Sequence, residues 1–96
     1  MAYDPGAIDA ALAAAVGDEP ALIAELRLAF HESAERSLAL LHEAGDADDW
    51  RIAAYRLKGL AASFGAVRLM ALAGEAVDQP FDVGVLARLK RSVARL

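Results

Sequence analysis

Apolar residues recur at steps of three and four along most of the chain, which is the period of an amphipathic α-helix rather than the alternation of a strand. Together with the capping and stop residues, this spacing predicts four or five helices and no strand. The first helix is short, with Asp4 as its N-cap, Pro5 at its first position and Gly17 as its stop. Its predicted inward residues are Ile8, Leu12 and Val16.

The second predicted helix begins at Asp18 and has Pro20 in its first turn. It runs to about Ala44, and Gly45 ends it. Because its apolar positions keep the helical period, one side of this helix is expected to face the core. Those positions are Ile23, Leu26, Phe30, Ala34, Ser37 and Leu41.

Three more helices follow. The third has Asp46 or Asp48 as its cap and Gly65 as its C-terminal stop. The fourth covers roughly residues 67–77, and the segment DQPFD at 78–82 then forms the last turn, where Pro80 interrupts and Asp82 caps the fifth helix. The predicted inward positions are Trp50, Ala53, Ala54, Leu57, Leu60 or Ala61, and Phe64; then Leu69, Met70, Ala73 and Val77; then Leu86, Leu89, Val93 and Leu96.

Short loops between successive long helices favour antiparallel neighbours. The sequence therefore predicts an all-α protein, an up-and-down four-helix bundle with a short N-terminal helix. Its 96 residues are expected to form one domain, residues 1–96, because a chain of this length supports a single core. The high hydrophobic content, 57% and rich in alanine, agrees with helices.

The charge is divided along the chain. Residues 1–50 carry two arginines against eleven acids, whereas residues 51–96 carry eight basic residues against three acids. An acidic chain without interleaved aromatics argues against nucleic acid, and an acidic protein partner meeting the basic half is the better expectation. No apolar run has the length of a membrane span and no secretory signal is present, so a cytoplasmic protein is expected.

The third helix has an unusual outer face. Opposite its buried stripe lie a tyrosine, several cations and a glycine, which come together because positions three and four apart stack on one face. Glycine inside a helix costs about 0.5–1 kcal/mol relative to alanine, so something is expected to approach the backbone there. The predicted partner-binding residues are Arg51, Tyr55, Arg56, Lys58, Gly59 and Ala62.

The stretch AAYRLKGLAASFGA, residues 53–66, resembles the signature of histidine phosphotransfer (HPt) domains. The likeness extends over nearly the whole chain, through GDEPALIAELRLAF at the start of the second helix and GDADDW before the third. The resemblance implies a helical phosphorelay domain of two-component signalling. The matching residues are Ala54, Leu57, Lys58, Gly59, Ser63, Phe64, Gly65 and Ala66.

One residue departs from that pattern. Where the family carries its phosphoryl-accepting histidine, this chain has Tyr55. The resemblance implies that Lys58 screens phosphate charge and that Gly59 leaves room for a partner. A phenol is almost fully protonated at neutral pH and is a poorer reversible phosphoryl carrier than an imidazole. The docking residues are thus retained while the nucleophile is missing.

Other residues are weaker candidates for phosphoryl transfer, metal binding or catalysis. His31 and His42 lie eleven positions apart on one outward face of the second helix, with Arg27 and Glu35. That spacing, roughly 16 Å, is too long for a shared metal, and neither histidine has the Leu-Lys-Gly context. The serines form no nucleophile, base and acid arrangement, and cysteine is absent. No catalytic residue, metal or cofactor is therefore expected.

The resulting hypothesis is a domain that binds the receiver domain of a response regulator or hybrid histidine kinase through its third helix without passing phosphate. A monomer is expected, with no nucleic acid or membrane partner, and the close-fitting ends favour a stand-alone protein. Two alternatives stay open. One is an active phosphocarrier that uses His31, His42 or Tyr55, and the other is a plain helical interaction or dimerisation domain.

Overall fold

The computed structural model describes residues 5–17 and 19–96, and this part of the chain is helical with no strand. Its five helices are α1 (Pro5–Val16), α2 (Pro20–Glu43), α3 (Ala47–Ser63), α4 (Val67–Asp78) and α5 (Val83–Ala94). The all-α prediction is confirmed. None of these helices combines the length and the apolar character needed to cross a membrane.

The helix ends agree closely with the capping signals. The Asp46 carboxylate accepts a hydrogen bond from the Asp49 N–H at 2.8 Å, which makes Asp46 rather than Asp48 the cap of α3. The Asp82 carboxylate likewise accepts from the Val85 N–H at 2.9 Å and begins α5. Gly65 has a φ of 69°, in the left-handed region that glycine enters at low cost, so it ends α3 as predicted.

The start of α2 differs from the prediction. The helix begins at Pro20, and Glu19 occupies the N-cap position without a side-chain hydrogen bond to the first turn. Pro20 stands at the first helical position, where its missing N–H costs nothing. The predicted cap Asp4 and the predicted first residue of the second helix, Asp18, lie outside the described residues, as does the Val16 side chain.

The core runs along all five helices. On α3 the predicted stripe is confirmed, because Trp50, Ala53, Ala54, Leu57 and Ala61 are buried. Alanines supply many of the buried positions, so neighbouring helices approach with few side-chain atoms between them. The pattern missed further core residues: Leu38, Ala66, Leu72, Ala76 and Val85.

The helix contacts place α3 between two neighbours. It packs against α2 and α4, while α5 packs against α4 and α2, and α1 packs against α2. At the C-terminal end of α3, Phe64 stacks on Phe30 of α2 with ring centroids 4.6 Å apart. Because α2 and α4 cover both flanks of α3, one long face of this helix is left open by the described residues.

Trp50 joins α3 to α4 through a buried hydrogen bond. Its indole N–H donates to the carbonyl oxygen of Ala76 at 2.7 Å. The same carbonyl also accepts from the Gln79 N–H at 3.2 Å, so the indole is the second donor to this oxygen. Phe81 packs against the indole in a tilted arrangement, with ring centroids 5.5 Å apart.

We expect Trp50→Phe to lower the free energy of unfolding by about 2 kcal/mol, because the change removes a buried donor and leaves space beside the smaller ring. Urea denaturation followed by far-UV circular dichroism measures the difference. Ile52→Ala, at an exposed position on the same helix, is the control and should stay within about 0.5 kcal/mol of the wild type. Equal stability of Trp50→Phe and the wild type would contradict this role for the indole.

Candidate functional site

The outer face of α3 is the candidate site. All six residues predicted for it are exposed: Arg51, Tyr55, Arg56, Lys58, Gly59 and Ala62. Tyr55 keeps 54% of its surface accessible and lies near the middle of this face. The predicted exposure is therefore confirmed, while the binding role of these residues is a separate question.

On the flank toward α4, the outer face of α3 is cationic, and the neighbouring surface of α4 has no side chain at Gly74. Gly74 of α4 lies under the Lys58 side chain, since a Cβ built on Gly74 would be 3.9 Å from Lys58 Cε. Within residues 5–17 and 19–96, no carboxylate forms an ion pair with Lys58. Arg51 differs, because it contacts Asp48 at 3.0 Å and its charge is partly compensated. Lys58 is thus a cation on this flank whose charge is not compensated by an ion pair within the described residues.

Gly59 has no neighbour that excludes a side chain. An added Cβ would meet nothing within 4 Å, so the packing of the chain itself does not require glycine here. The Ser63 hydroxyl donates to the Gly59 carbonyl at 3.0 Å, which occupies the oxygen without covering the α-carbon. The absence of a side chain leaves a strip of backbone open beside Tyr55 and Lys58.

On the flank toward α2, the face is apolar, and sequence reasoning missed it. Ile52 is 56% exposed and lies one turn before Tyr55, and Leu40 of α2 is 46% exposed. Both line a groove of about 390 Å³. One signal was available: Ile52 falls on the polar side of the α3 period, where an isoleucine is out of pattern. Leu40, which lines the same groove from α2, could not be predicted from the period of α3.

The two histidines of α2 do not join this face. His42 is exposed, and its Nδ1 is 3.5 Å from Lys90 Nζ of α5. His31 is half buried rather than outward, because it lines a cavity of about 240 Å³ that also includes Ile8 of α1 and Leu96. Its Nε2 is 3.4 Å from a Glu35 carboxylate oxygen. The described part of the chain holds no group of three metal-ligating side chains.

No family model matches the chain, and neither a curated protein nor a solved structure matches it. The resemblance to HPt domains therefore stays a prediction from the sequence. The geometry adds an open helix face with an exposed phenol, an ammonium group that forms no ion pair among the described residues, and a stretch of backbone without a side chain over it.

We expect Gly59→Ala to raise the free energy of unfolding by about 0.5–1 kcal/mol, because alanine is the better helix former and its methyl group meets no neighbour. Urea denaturation measures the gain. The reverse change one turn later, Ala62→Gly, should lower stability by a similar amount. A loss of stability in Gly59→Ala would show that the chain's own packing needs this glycine.

Proposed function

We propose that this protein is a two-component signalling domain that binds receiver domains through the outer face of α3 and does not carry phosphate. The observation that carries the proposal is the combination at Lys58 and Gly59. The Lys58 ammonium group forms no ion pair among the described residues, and it stands beside Gly59, where an added Cβ would meet nothing within 4 Å. Glycine at such a position costs stability, and close approach by a partner gives a reason for it.

The proposal includes an architecture. We infer an up-and-down bundle of α2 to α5, with α1 as the short N-terminal helix. The helix contacts support it, since α2, α3, α4 and α5 each pack against the next and α5 returns to α2. In such a bundle, α3 presents one long face to solvent and a partner can reach all of it.

Charge supports a receiver as the partner. The phosphoryl-accepting end of a receiver is acidic, and two cations on this face, Arg56 and Lys58, have no ion pair among the described residues. Opposite potentials raise the rate of encounter and fix the orientation of the complex. We propose a monomer acting in the cytoplasm, without enzymatic activity of its own.

Lys58→Glu should weaken receiver binding roughly tenfold or more, because it places a carboxylate against the acidic end of the receiver. Isothermal titration calorimetry with purified receiver domains of the same organism measures the change. Arg91→Glu, which makes the same charge change at an exposed position on α5, should bind like the wild type. Gly59→Ala provides a second check, because it should weaken binding while it stabilises the free protein. Failure of every receiver to bind the wild type would refute the proposed function.

Tyr55→His should gain the ability to accept a phosphoryl group from a phosphorylated receiver. The P–O bond of the aspartyl phosphate breaks, a P–N bond forms on the imidazole, and the receiver carboxylate is regenerated. Radiolabel on the protein that is lost in acid and kept in base reports phosphohistidine. Tyr55→Phe keeps the ring and should stay unlabelled.

The same assay separates the alternative functions. Acid-labile label on the wild type would identify a working carrier that uses His31 or His42, and acid-stable label lost in Tyr55→Phe would identify a carrier that uses the phenol. Self-association through a face that excludes Tyr55, without receiver binding, would favour a plain dimerisation domain.

A further inference from the structure

Five of the eight basic residues within 51–96 lie on α4 or along α5 rather than on α3. They are Arg68, Arg88, Lys90, Arg91 and Arg95. Lys90 faces α2, where its Nζ is 3.5 Å from His42 Nδ1. Arg88 faces α4, where its guanidinium group is 3.4 Å from a Glu75 carboxylate oxygen. The other three arginines form no ion pair within the described residues.

The ion pair between Glu75 and Arg88 sets the register of α4 against α5. In the bundle inferred above these helices run antiparallel, which their four-residue connection and their packing support. Arg68 lies seven residues before Glu75, and Arg95 lies seven residues after Arg88. Seven residues are two turns, so each step returns to the same side of its helix and moves roughly 10 Å toward the same end of the bundle. Arg68 therefore lies across from Arg95.

Arg91 completes a cluster of three arginines at this end of α4 and α5. It is exposed and lies one turn after Arg88 and one turn before Arg95. Arg95 is also exposed and, as the C-cap residue of α5, keeps an α conformation. Arg68 is half buried. These three residues, Arg68, Arg91 and Arg95, are called the arginine cluster below.

The position of Arg68 in this cluster is unfavourable to the fold. It stands in the first turn of α4, where the positive end of the helix dipole repels a cation. That turn has no acidic residue, and the N-cap Ala66 makes no side-chain hydrogen bond to it. Arg91 and Arg95 differ, because cations near the C-terminal end of α5 are favourable to its dipole. The dipole thus explains two of the three arginines, and binding of an anion gives a reason for Arg68.

We propose that the arginine cluster binds a short acidic segment of a second protein, at a surface separate from the α3 face. A guanidinium group binds a carboxylate through two parallel hydrogen bonds, which a lysine cannot do. Carboxylates one turn apart on a partner helix match Arg91 and Arg95, which are themselves one turn apart. This inference goes beyond the proposed function and does not depend on it.

The small extent of the cluster favours such a segment over a membrane or a nucleic acid. Farther along α4, Glu75 and Asp78 are exposed. A lipid surface or a nucleic acid duplex carries negative charges over much more than the length of two helix turns. It would bring its phosphates against these carboxylates, whereas a short acidic segment covers the cluster alone.

The charges also disfavour a second copy of the chain. Contact between the clusters of two copies would bring arginines together. A copy turned end for end would present the acidic residues of 67–96 instead. Of these, Glu75 already contacts Arg88, and the Asp82 carboxylate caps α5. Asp78 is then left to meet three guanidinium groups, so the copy compensates the cluster poorly.

The test uses the full chain and a helical peptide that carries glutamates three and four residues apart in an alanine background. NMR titration of the backbone amides measures the affinity and locates the contact. The same peptide with glutamine in place of glutamate is the control for charge. The wild type should bind the glutamate peptide and not the glutamine peptide. Equal binding of the two peptides, or no binding of either, would refute the inference.

Arg91→Glu should weaken binding of the glutamate peptide roughly tenfold, because it places a carboxylate in the centre of the cluster. Arg56→Glu is the matched control. It makes the same charge change at an exposed position on α3 and should bind the peptide within about twofold of the wild type. An equal loss of affinity in both variants would show that the peptide responds to net charge and not to this cluster.

Arg68→Glu separates binding from stability. It places a carboxylate in the first turn of α4, where the dipole favours an anion, and replaces repulsion from Arg95 by attraction. The urea midpoint should therefore rise while the affinity for the peptide falls roughly tenfold. Arg68→Gln, which removes the charge without reversing it, should fall between. A lower urea midpoint with unchanged affinity would show that Arg68 serves the fold, and would overturn its place in the site.

Two readouts distinguish this inference from the proposed function. Lys58→Glu should lose receiver binding and keep peptide binding, whereas Arg91→Glu should do the reverse. If no receiver binds the wild type, the proposed function fails and the peptide results still decide the inference.

Two further measurements identify a different occupant. Flotation with vesicles of anionic lipid that Arg91→Glu abolishes would assign the cluster to a membrane. Sedimentation equilibrium that shows a dimer dissociated by Arg91→Glu would assign it to a second copy of the chain. Either result would overturn the inference.

Discussion

A single buried hydrogen bond ties the helix that carries the candidate site to the rest of the protein. The Trp50 indole donates to the Ala76 carbonyl, which also accepts from the Gln79 N–H at the end of α4. A buried indole N–H without an acceptor is costly, so this bond satisfies the Trp50 donor and fixes the rotation of α3 against α4 at the same time. Phe81 accepts a φ of 62°, unusual for a bulky residue, and packs on the same indole.

Once the rotation of α3 is fixed, the chemistry of its open face follows. The buried alanines on α3 and α4 allow these helices to lie close, and Gly74 then leaves room for the Lys58 side chain to extend over α4. On the opposite flank, α2 brings Leu40 across from Ile52. One face therefore presents two different surfaces, a cationic one and an apolar one, with Tyr55 between them.

Under the proposed function, this layout separates docking from chemistry. None of the residues assigned to partner binding contributes to the buried core, and the side chain at position 55 points away from it. Exchange of the residue at this position alters the reactive group at little cost in stability, since exposed positions tolerate substitution. Under the proposed function, a receiver could still bind to a surface that no longer offers it an imidazole.

The sequence by itself determined the local structure. Helical period, the Asp46 and Asp82 caps and the Gly65 stop follow from interactions within a few residues, so the helices and the exposure of Tyr55, Lys58 and Gly59 could be predicted from them. The groove could not be predicted in this way. Leu40 and Ile52 belong to different helices, and a period of 3.6 residues reports which side of a helix is apolar but not which residue of a neighbour lies opposite.

The same limit applies to the other contacts between helices. The bond from Trp50 to Ala76 joins residues 26 positions apart. The position of the Lys58 side chain over Gly74 depends on how far α4 is offset along α3, and His31 is half buried because α1 lies beside it. Offset and rotation are decided by how side chains of two helices fit together, and they are not encoded in either helix alone. Tertiary packing therefore decided what flanks Tyr55, while the sequence alone decided that Tyr55 is exposed.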